Sequence, residues 1–134
     1  MRRGSSLILV VGLALGLSAC GGSSGQTDAQ KRAILARAER EMNTTAYDDA
    51  LKEIRGLGNW DDAPKVLLKD RKRAARETLA NAESKNLKKA PRAAMSLTKT
   101  SIKYWDTPEA RRFLKKATKA HAEFKKKRQA AGHF

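Results

Sequence analysis

The sequence predicts an all-α protein in which about five helices form stacked helical hairpins after a signal peptide and a flexible tether. Three observations carry this prediction. The 134-residue chain is low in aromatic residues (5%) and rich in alanine, lysine and arginine, which favours helix. It has no Val/Ile/Thr-rich alternating segment after residue 20, so strands are not expected. Apolar residues instead recur at helical spacing in successive segments separated by short breaks.

The first 19 residues have the pattern of a secretory signal peptide. Two arginines precede an uncharged apolar run of 11 residues, Leu7–Leu17. A helix that spans a bilayer needs about 20 such residues, so this run is too short. The next segment, "LSAC", ends at Cys20 and resembles the lipobox of bacterial lipoproteins. That resemblance implies diacylation of the Cys20 thiol, cleavage just before it and acylation of the new N-terminus. An ordinary signal peptide is the alternative.

The lipobox resemblance also implies a location. It places the chain in the cell envelope, held to a lipid bilayer through acylated Cys20. Gly21 follows, where an aspartate would retain an enteric-type lipoprotein in the inner membrane. We therefore expect the outer membrane, facing the periplasm, if the organism has one, and otherwise the outer face of the plasma membrane. Residues 20–27 contain a Gly/Ser stretch that predicts a flexible tether.

The helical repeat domain is predicted over residues 28–130, with a frayed tail at 131–134. "TDAQ", Thr27–Gln30, is a capping box that opens the first helix. "TAYD", Thr45–Asp48, is predicted to be a second capping box that opens the next. Glycines near position 56 then end this helix.

Three further helices are expected. A long one runs from about Ala63 to Ser84, with a proline in its first turn. The fourth runs from Pro91 to about Tyr104. The fifth begins with Thr107 as its N-cap and Pro108 at its first position, and it ends near Gln129.

The chain repeats itself at a spacing of 45 to 46 residues. "WDDAPKVLLKDRKRA" (Trp60–Ala74) aligns with "WDTPEARRFLKKATKA" (Trp105–Ala120) when one inserted residue is allowed. Each tryptophan precedes the start of a helix, where it either packs at a hairpin corner or binds a partner. Helices joined by short loops at such a period indicate stacked hairpins.

"TAYDDALKEI" further resembles the tetratricopeptide repeat. That family packs a small residue of its first helix against an alanine of its second. Ala38 and Ala50 match this pair, and Tyr47 and Ile54 match the large positions of the second helix. Arg37 stands where the family prefers leucine, and the period differs from the family's 34 residues. A generic bundle of four or five helices is the alternative.

Positive charge is concentrated in the second half of the chain. Residues 28–62 carry 6 Lys/Arg and 8 Asp/Glu, whereas residues 63–134 carry 21 and 6. Each basic run can be a solvated helix face, but the excess exceeds what solubility requires. The basic residues that we select as a candidate surface are Lys69, Arg71, Lys72, Arg73, Lys88, Lys89, Arg92, Arg111, Arg112, Lys115, Lys116, Lys125, Lys126, Lys127 and Arg128.

The sequence carries no pattern typical of catalysis, cofactor binding or metal binding. His121 and His133 lie twelve residues apart, with no cysteine or carboxylate cluster at ligand spacing. We therefore expect no enzyme, no cofactor and no metal. Nucleic acid is not expected either, because a lipidated, exported protein rarely meets it.

Two functions remain. The first is a membrane-anchored lipoprotein that acts as a protein-binding adaptor or scaffold in the cell envelope, since repeat surfaces bind extended segments. The second is a structural lipoprotein whose basic helical face binds anionic envelope polymer or lipid head groups.

Overall fold

The structure, a computed structural model, describes residues 26–132. The predicted signal peptide and the lipidation site Cys20 lie outside the described residues, as do His133 and Phe134 of the predicted tail. The described chain is all-helical and has no strand, which confirms the all-α part of the predicted fold class. Its five helices, α1 to α5, span Asp28–Asn43, Tyr47–Gly56, Ala63–Glu83, Pro91–Tyr104 and Pro108–Ala131.

Two helix starts are set by the predicted caps. At α1, the Thr27 hydroxyl accepts a bond from the Gln30 amide at 3.1 Å, and the Gln30 side chain accepts one from the Thr27 amide at 2.8 Å. At α5, Thr107 caps the amide of Ala110 at 3.1 Å, directly before Pro108. Each cap satisfies amides that the first helical turn leaves without a partner.

The predicted capping box at α2 is wrong. Ala46 is the N-cap of this helix, and no side chain bonds to the first-turn amides. Thr45 adopts a left-handed conformation (φ 65°), and its hydroxyl donates to the Thr44 carbonyl instead. The end of the last helix also differs slightly from the prediction. Helix α5 includes Ala131, so that residue belongs to the helix and not to the tail.

The helices pack in chain order. Each helix packs against the next one, and α1 also contacts α3. The connecting loops have only three to seven residues, so consecutive helices are antiparallel and α1, α3 and α5 share one direction. The C-terminal end of α5 therefore lies at the same end of the molecule as the α3–α4 loop.

The main core lies between α1, α2 and α3. Its fully buried members include Ala38, Met42, Ala50 and Ile54. The buried residues of α4 are all small or medium-sized (Pro91, Ala94, Thr98 and Ser101), and the Ser101 hydroxyl donates to a carbonyl of α3 at 2.7 Å. Small residues let the helix backbones approach closely, which suits side-by-side hairpins.

Helix α5 buries few of its residues. Only Ala110 and Ala117 of its 24 residues are fully buried. Most of its surface therefore faces solvent. Within residues 26–132, no helix combines the length and the apolar composition needed to cross a bilayer.

Candidate functional site

The basic residues selected from the sequence fall into two groups, and the first is bound within the fold. Arg73 on α3 forms an ion pair with Glu77 at 2.8 Å and a longer one with Glu39 of α1 at 3.7 Å. It also donates to the Asn43 side chain at 2.9 Å. The hydrogen bond to Glu77 is the main reason why the pKa of Arg73 is raised. This guanidinium joins α1 to α3, and it is only partly available to a partner.

Arg71 and Lys72 are also engaged within the structure. Their charged groups each lie 5.1 Å from the ring centroid of Trp105. Arg71 additionally donates to the Tyr104 carbonyl at 3.2 Å. A cation over an indole face is attracted by the ring quadrupole, so these contacts hold the α4–α5 corner against α3.

Arg111 belongs to the same group because its charge is also paired within the chain. Its guanidinium donates to the Asp106 carboxylate three times, at 2.9 and 3.1 Å from Nε and at 2.7 Å from Nη2. The hydrogen bond to Arg111 lowers the pKa of the Asp106 carboxyl. This pair is exposed and sits directly beside the start of α5, where it orders the turn.

The second group is exposed and forms no ion pair with any carboxylate in residues 26–132. It occupies the outer part of α3, the α3–α4 loop, the first turn of α4 and most of α5. Its members are Lys69, Lys88, Lys89, Arg92, Arg112, Lys115, Lys116, Lys125, Lys126, Lys127 and Arg128.

Part of this second group surrounds Phe124 near the end of α5. On one side a cleft of about 340 Å³ lies between α5 and the α3–α4 loop, with Leu87 and Phe124 among its apolar lining residues. On the other side a cleft of about 520 Å³ is lined by Phe124 and His121, and the Arg128 guanidinium lies 6.0 Å from the Phe124 ring. We call the seven cations of the two clefts the distal basic patch: Lys88, Arg92, Lys116, Lys119, Lys125, Lys127 and Arg128.

Two features of this patch were not predicted from the sequence. Lys119 was not among the selected residues, although it follows Lys116 at a spacing of three, which places both on one helix face. Phe124 follows Ala117 at a spacing of seven, which places both on one face of α5, but Ala117 is the last buried position of that helix. Helical spacing could have identified Lys119. The partial exposure of Phe124 depends on where α4 begins.

The N-terminal hairpin presents a groove of different chemistry. About 480 Å³ in volume, it lies between α1 and α2 and is lined by Arg37, Glu41, Asp49 and Glu53, among others. Arg37 pairs with Glu53 at 3.1 Å. The pKa of Glu41 is raised, chiefly because its carboxyl is buried and secondly because Glu53 lies beside it. This groove is mixed in charge and suits a polar or basic group of a partner.

The residues selected for repeat packing lie where α2 meets its neighbours. Ala38 and Ala50 are fully buried, and Ile54 is buried beside them. Tyr47 is half-buried and donates to Glu77 of α3 at 2.6 Å. Burial, aided by this carboxylate, raises the pKa of Tyr47 to about 12. Tyr47 also contacts Tyr104 of α4 edge to face, with ring centroids 5.8 Å apart.

No group of three or more His, Cys, Asp or Glu side chains in the described chain is arranged to hold a metal ion. Comparison with protein-family models, with curated proteins and with solved structures finds no match to this chain.

Proposed function

We propose that this protein is a lipid-anchored adaptor or scaffold of the cell envelope. Cys20 carries the acyl chains, and a tetratricopeptide-like stack of hairpins docks protein partners without catalysing a reaction. The observation that carries this proposal is the consecutive packing of α1 to α5, because a row of helices in which each packs on the next leaves grooves open to extended segments. The groove between α1 and α2 is the favoured docking position, since its carboxylates and Arg37 offer both signs of charge.

Affinity capture from detergent-solubilised envelopes tests the adaptor. We expect a few stoichiometric proteins that remain bound above about 0.3 M salt, where exposed charge interactions are strongly screened. Asp49→Lys in the groove should release them. Glu109→Lys is the matched control, because it reverses another acid in the first turn of a helix, outside the groove. Equal retention by both variants would remove the groove from the proposal.

Metabolic labelling with a palmitate analogue tests the anchor. Label should be incorporated by the natural chain and lost in Cys20→Ser, because the thiol is the acceptor that the lipobox resemblance implies. A second variant combines Cys20→Ser with Ser23→Cys and supplies a thiol outside the box. It should stay unlabelled. Label in Cys20→Ser alone would contradict lipidation at this residue.

The distal basic patch favours a second candidate function. Under this second candidate, the protein is a structural lipoprotein whose basic helical face binds anionic envelope polymer or lipid head groups. Seven cations around two clefts support this function, since each Lys or Arg near an anionic surface contributes about 1 kcal/mol. The same capture experiment separates the two candidates. Loss of every bound component above about 0.3 M salt favours this second function over the adaptor.

A further inference from the structure

We infer that the distal basic patch is a membrane-contact site, at which cations bind the phosphates of anionic phospholipids while Phe124 and Leu87 enter the bilayer interface. This inference rests on the proposed anchoring to a membrane and deepens the second candidate function. It assigns that function to one end of the molecule and selects lipid over polymer as the partner.

The charge of the patch is unbalanced. Its seven cations form no ion pair within residues 26–132, where Arg37, Arg73 and Arg111 are the only ion-paired cations. Glu123 is the only Asp or Glu among the lining residues of the two clefts. A surface with this excess attracts anionic lipid, and the attraction acts over a Debye length of about 8 Å at physiological salt.

The apolar residues of the patch distinguish a bilayer from other anions. Phe124 lines both clefts, Leu87 lines one of them, and both side chains are half-buried. A soluble anionic polymer would engage the lysines and leave these two side chains without a role. A bilayer interface presents phosphates and acyl chains together, which is the combination that basic residues flanking an aromatic anchor bind.

The position of the patch is compatible with the anchor. Five residues lie between Cys20 and Gln26, where the described structure begins, so the six steps from Cys20 to Gln26 span at most about 22 Å. Helix α5 has 24 residues and is about 36 Å long. Because α1 and α5 share one direction, the start of α1 and the patch lie at opposite ends of the domain. A domain that lies with its helix axes along the bilayer brings both ends to the surface.

Co-sedimentation with vesicles tests the site. The chain begins at residue 20 and carries Cys20→Ser, so that it keeps all the described residues and no acyl chain contributes to binding. We expect it to bind phosphatidylglycerol vesicles and not phosphatidylcholine vesicles. Equal binding to both compositions would overturn the inference.

Two triple variants locate the contact. The first changes Lys116, Lys119 and Lys127 of the patch to glutamine, and we expect binding to phosphatidylglycerol to weaken roughly 100-fold, about fivefold per cation. The matched control changes three other exposed cations to glutamine and removes the same charge, and it should weaken binding less than about tenfold. Its positions are Lys69, Arg112 and Lys115. Equal losses in the two triples would mean that net charge, and not the patch, determines binding.

Removal of the Phe124 ring distinguishes lipid from polymer as the partner of the patch. Phe124→Ala should weaken vesicle binding about tenfold, and the loss should persist when salt screens the lysines. Soluble polyphosphate is the comparison, and its binding should not depend on Phe124. Leu87→Ala in the loop provides the same test if circular dichroism shows that Phe124→Ala disturbs α5. Vesicle binding that neither change weakens would overturn the inference in favour of an anionic polymer.

The outcomes of the vesicle experiments do not depend on lipidation of Cys20. The protein tested carries no acyl chain, so a failed labelling experiment on Cys20 leaves the vesicle result interpretable. Failure of vesicle binding would leave the lipid anchor and the adaptor standing and remove only the patch as a membrane contact.

Discussion

Enlarging Ala50 tests the packing of the first hairpin. Ala50 has no exposed surface, and it lies in the same core cluster as Ala38, Met42 and Ile54, each of them at most 1% exposed. Ala50→Leu adds three carbon atoms where α2 packs on its neighbours. Since the surrounding side chains are already closely packed, the added atoms should force the helices apart.

The expected loss can be worked from this burial. Overpacking a core position costs typically about 1 to 3 kcal/mol, a large part of the roughly 5 to 15 kcal/mol that stabilise a domain. At roughly 4 °C per kcal/mol for a domain of about 100 residues, the midpoint of thermal unfolding should fall by about 4 to 12 °C.

Thermal unfolding followed by far-ultraviolet circular dichroism measures this change. Ala36→Leu is the matched control, because Ala36 lies on the exposed side of α1 and leucine is nearly as good a helix former as alanine. We expect the control to leave the midpoint within about 2 °C of the natural chain. An Ala50→Leu midpoint equal to that of the control would refute close packing of α2 at Ala50 and, with it, the tetratricopeptide-like pairing with Ala38.

Three other changes test the polar contacts. Asp70 is buried with one carboxylate oxygen unpartnered, and burial raises its pKa. The folded chain therefore binds the carboxyl proton of Asp70 more tightly than the unfolded chain does, and stability falls as pH rises above about 3.8. Asp70→Asn should therefore gain more stability at about pH 7 than at about pH 4 in urea unfolding, and equal gains would contradict this. Tyr47 donates the hydrogen bond that chiefly lowers the pKa of Glu77, which stabilises the fold above about pH 4.5 and is lost on acidification. Tyr47→Phe should cost about 1 kcal/mol at neutral pH and less in acid, whereas a cost independent of pH would argue against the bond. Trp105→Leu should lower the thermal midpoint by more than Trp105→Phe, since phenylalanine keeps a ring beneath Arg71, and equal midpoints would exclude a cation–π contribution.

The sequence was sufficient to predict the helices because their boundaries are set locally. Thr27 and Thr107 cap helices as their positions predict, and Pro91 and Pro108 begin them. The failure at Thr45 is also local. A threonine followed three residues later by an acid caps a helix only if its backbone is extended, and here it is left-handed. The residue pattern does not specify that conformation.

The division of the basic residues could not be read from the sequence. Arg73 meets Asn43, which is 30 residues away, and Arg71 meets the carbonyl of Tyr104, 33 residues away. Both contacts depend on which helices are neighbours. Lys69 and Arg73 belong to the same basic run, yet one is exposed and unpaired while the other joins two helices. Charge counting predicted the basic half of the chain. Only the packing shows which cations remain available.

The two tryptophans of the internal repeat make similar contacts. The charged groups of Lys31 and Arg32 on α1 lie 5.5 and 5.6 Å from the ring centroid of Trp60. Trp105 is covered in the same way by a basic pair of α3. A tryptophan before one odd-numbered helix thus contacts a basic pair on the preceding odd-numbered helix. The two basic pairs lie 40 residues apart, so they do not occupy equivalent positions of the sequence repeat.

The same alignment places Lys119 of α5 at the position of Arg73 of α3, 46 residues earlier, and Glu123 at that of Glu77. Arg73 is held by Glu77 on its own helix and by Glu39 on α1. Lys119 and Glu123 keep the spacing of the first pair, but they form no ion pair within the described residues, and both line the cleft beside Phe124. A position that joins two helices in the first unit is therefore unpaired in the second. Substitution of both positions should separate the two roles: Arg73→Gln should lower the thermal midpoint, whereas Lys119→Gln should leave it unchanged and weaken only binding to anionic vesicles.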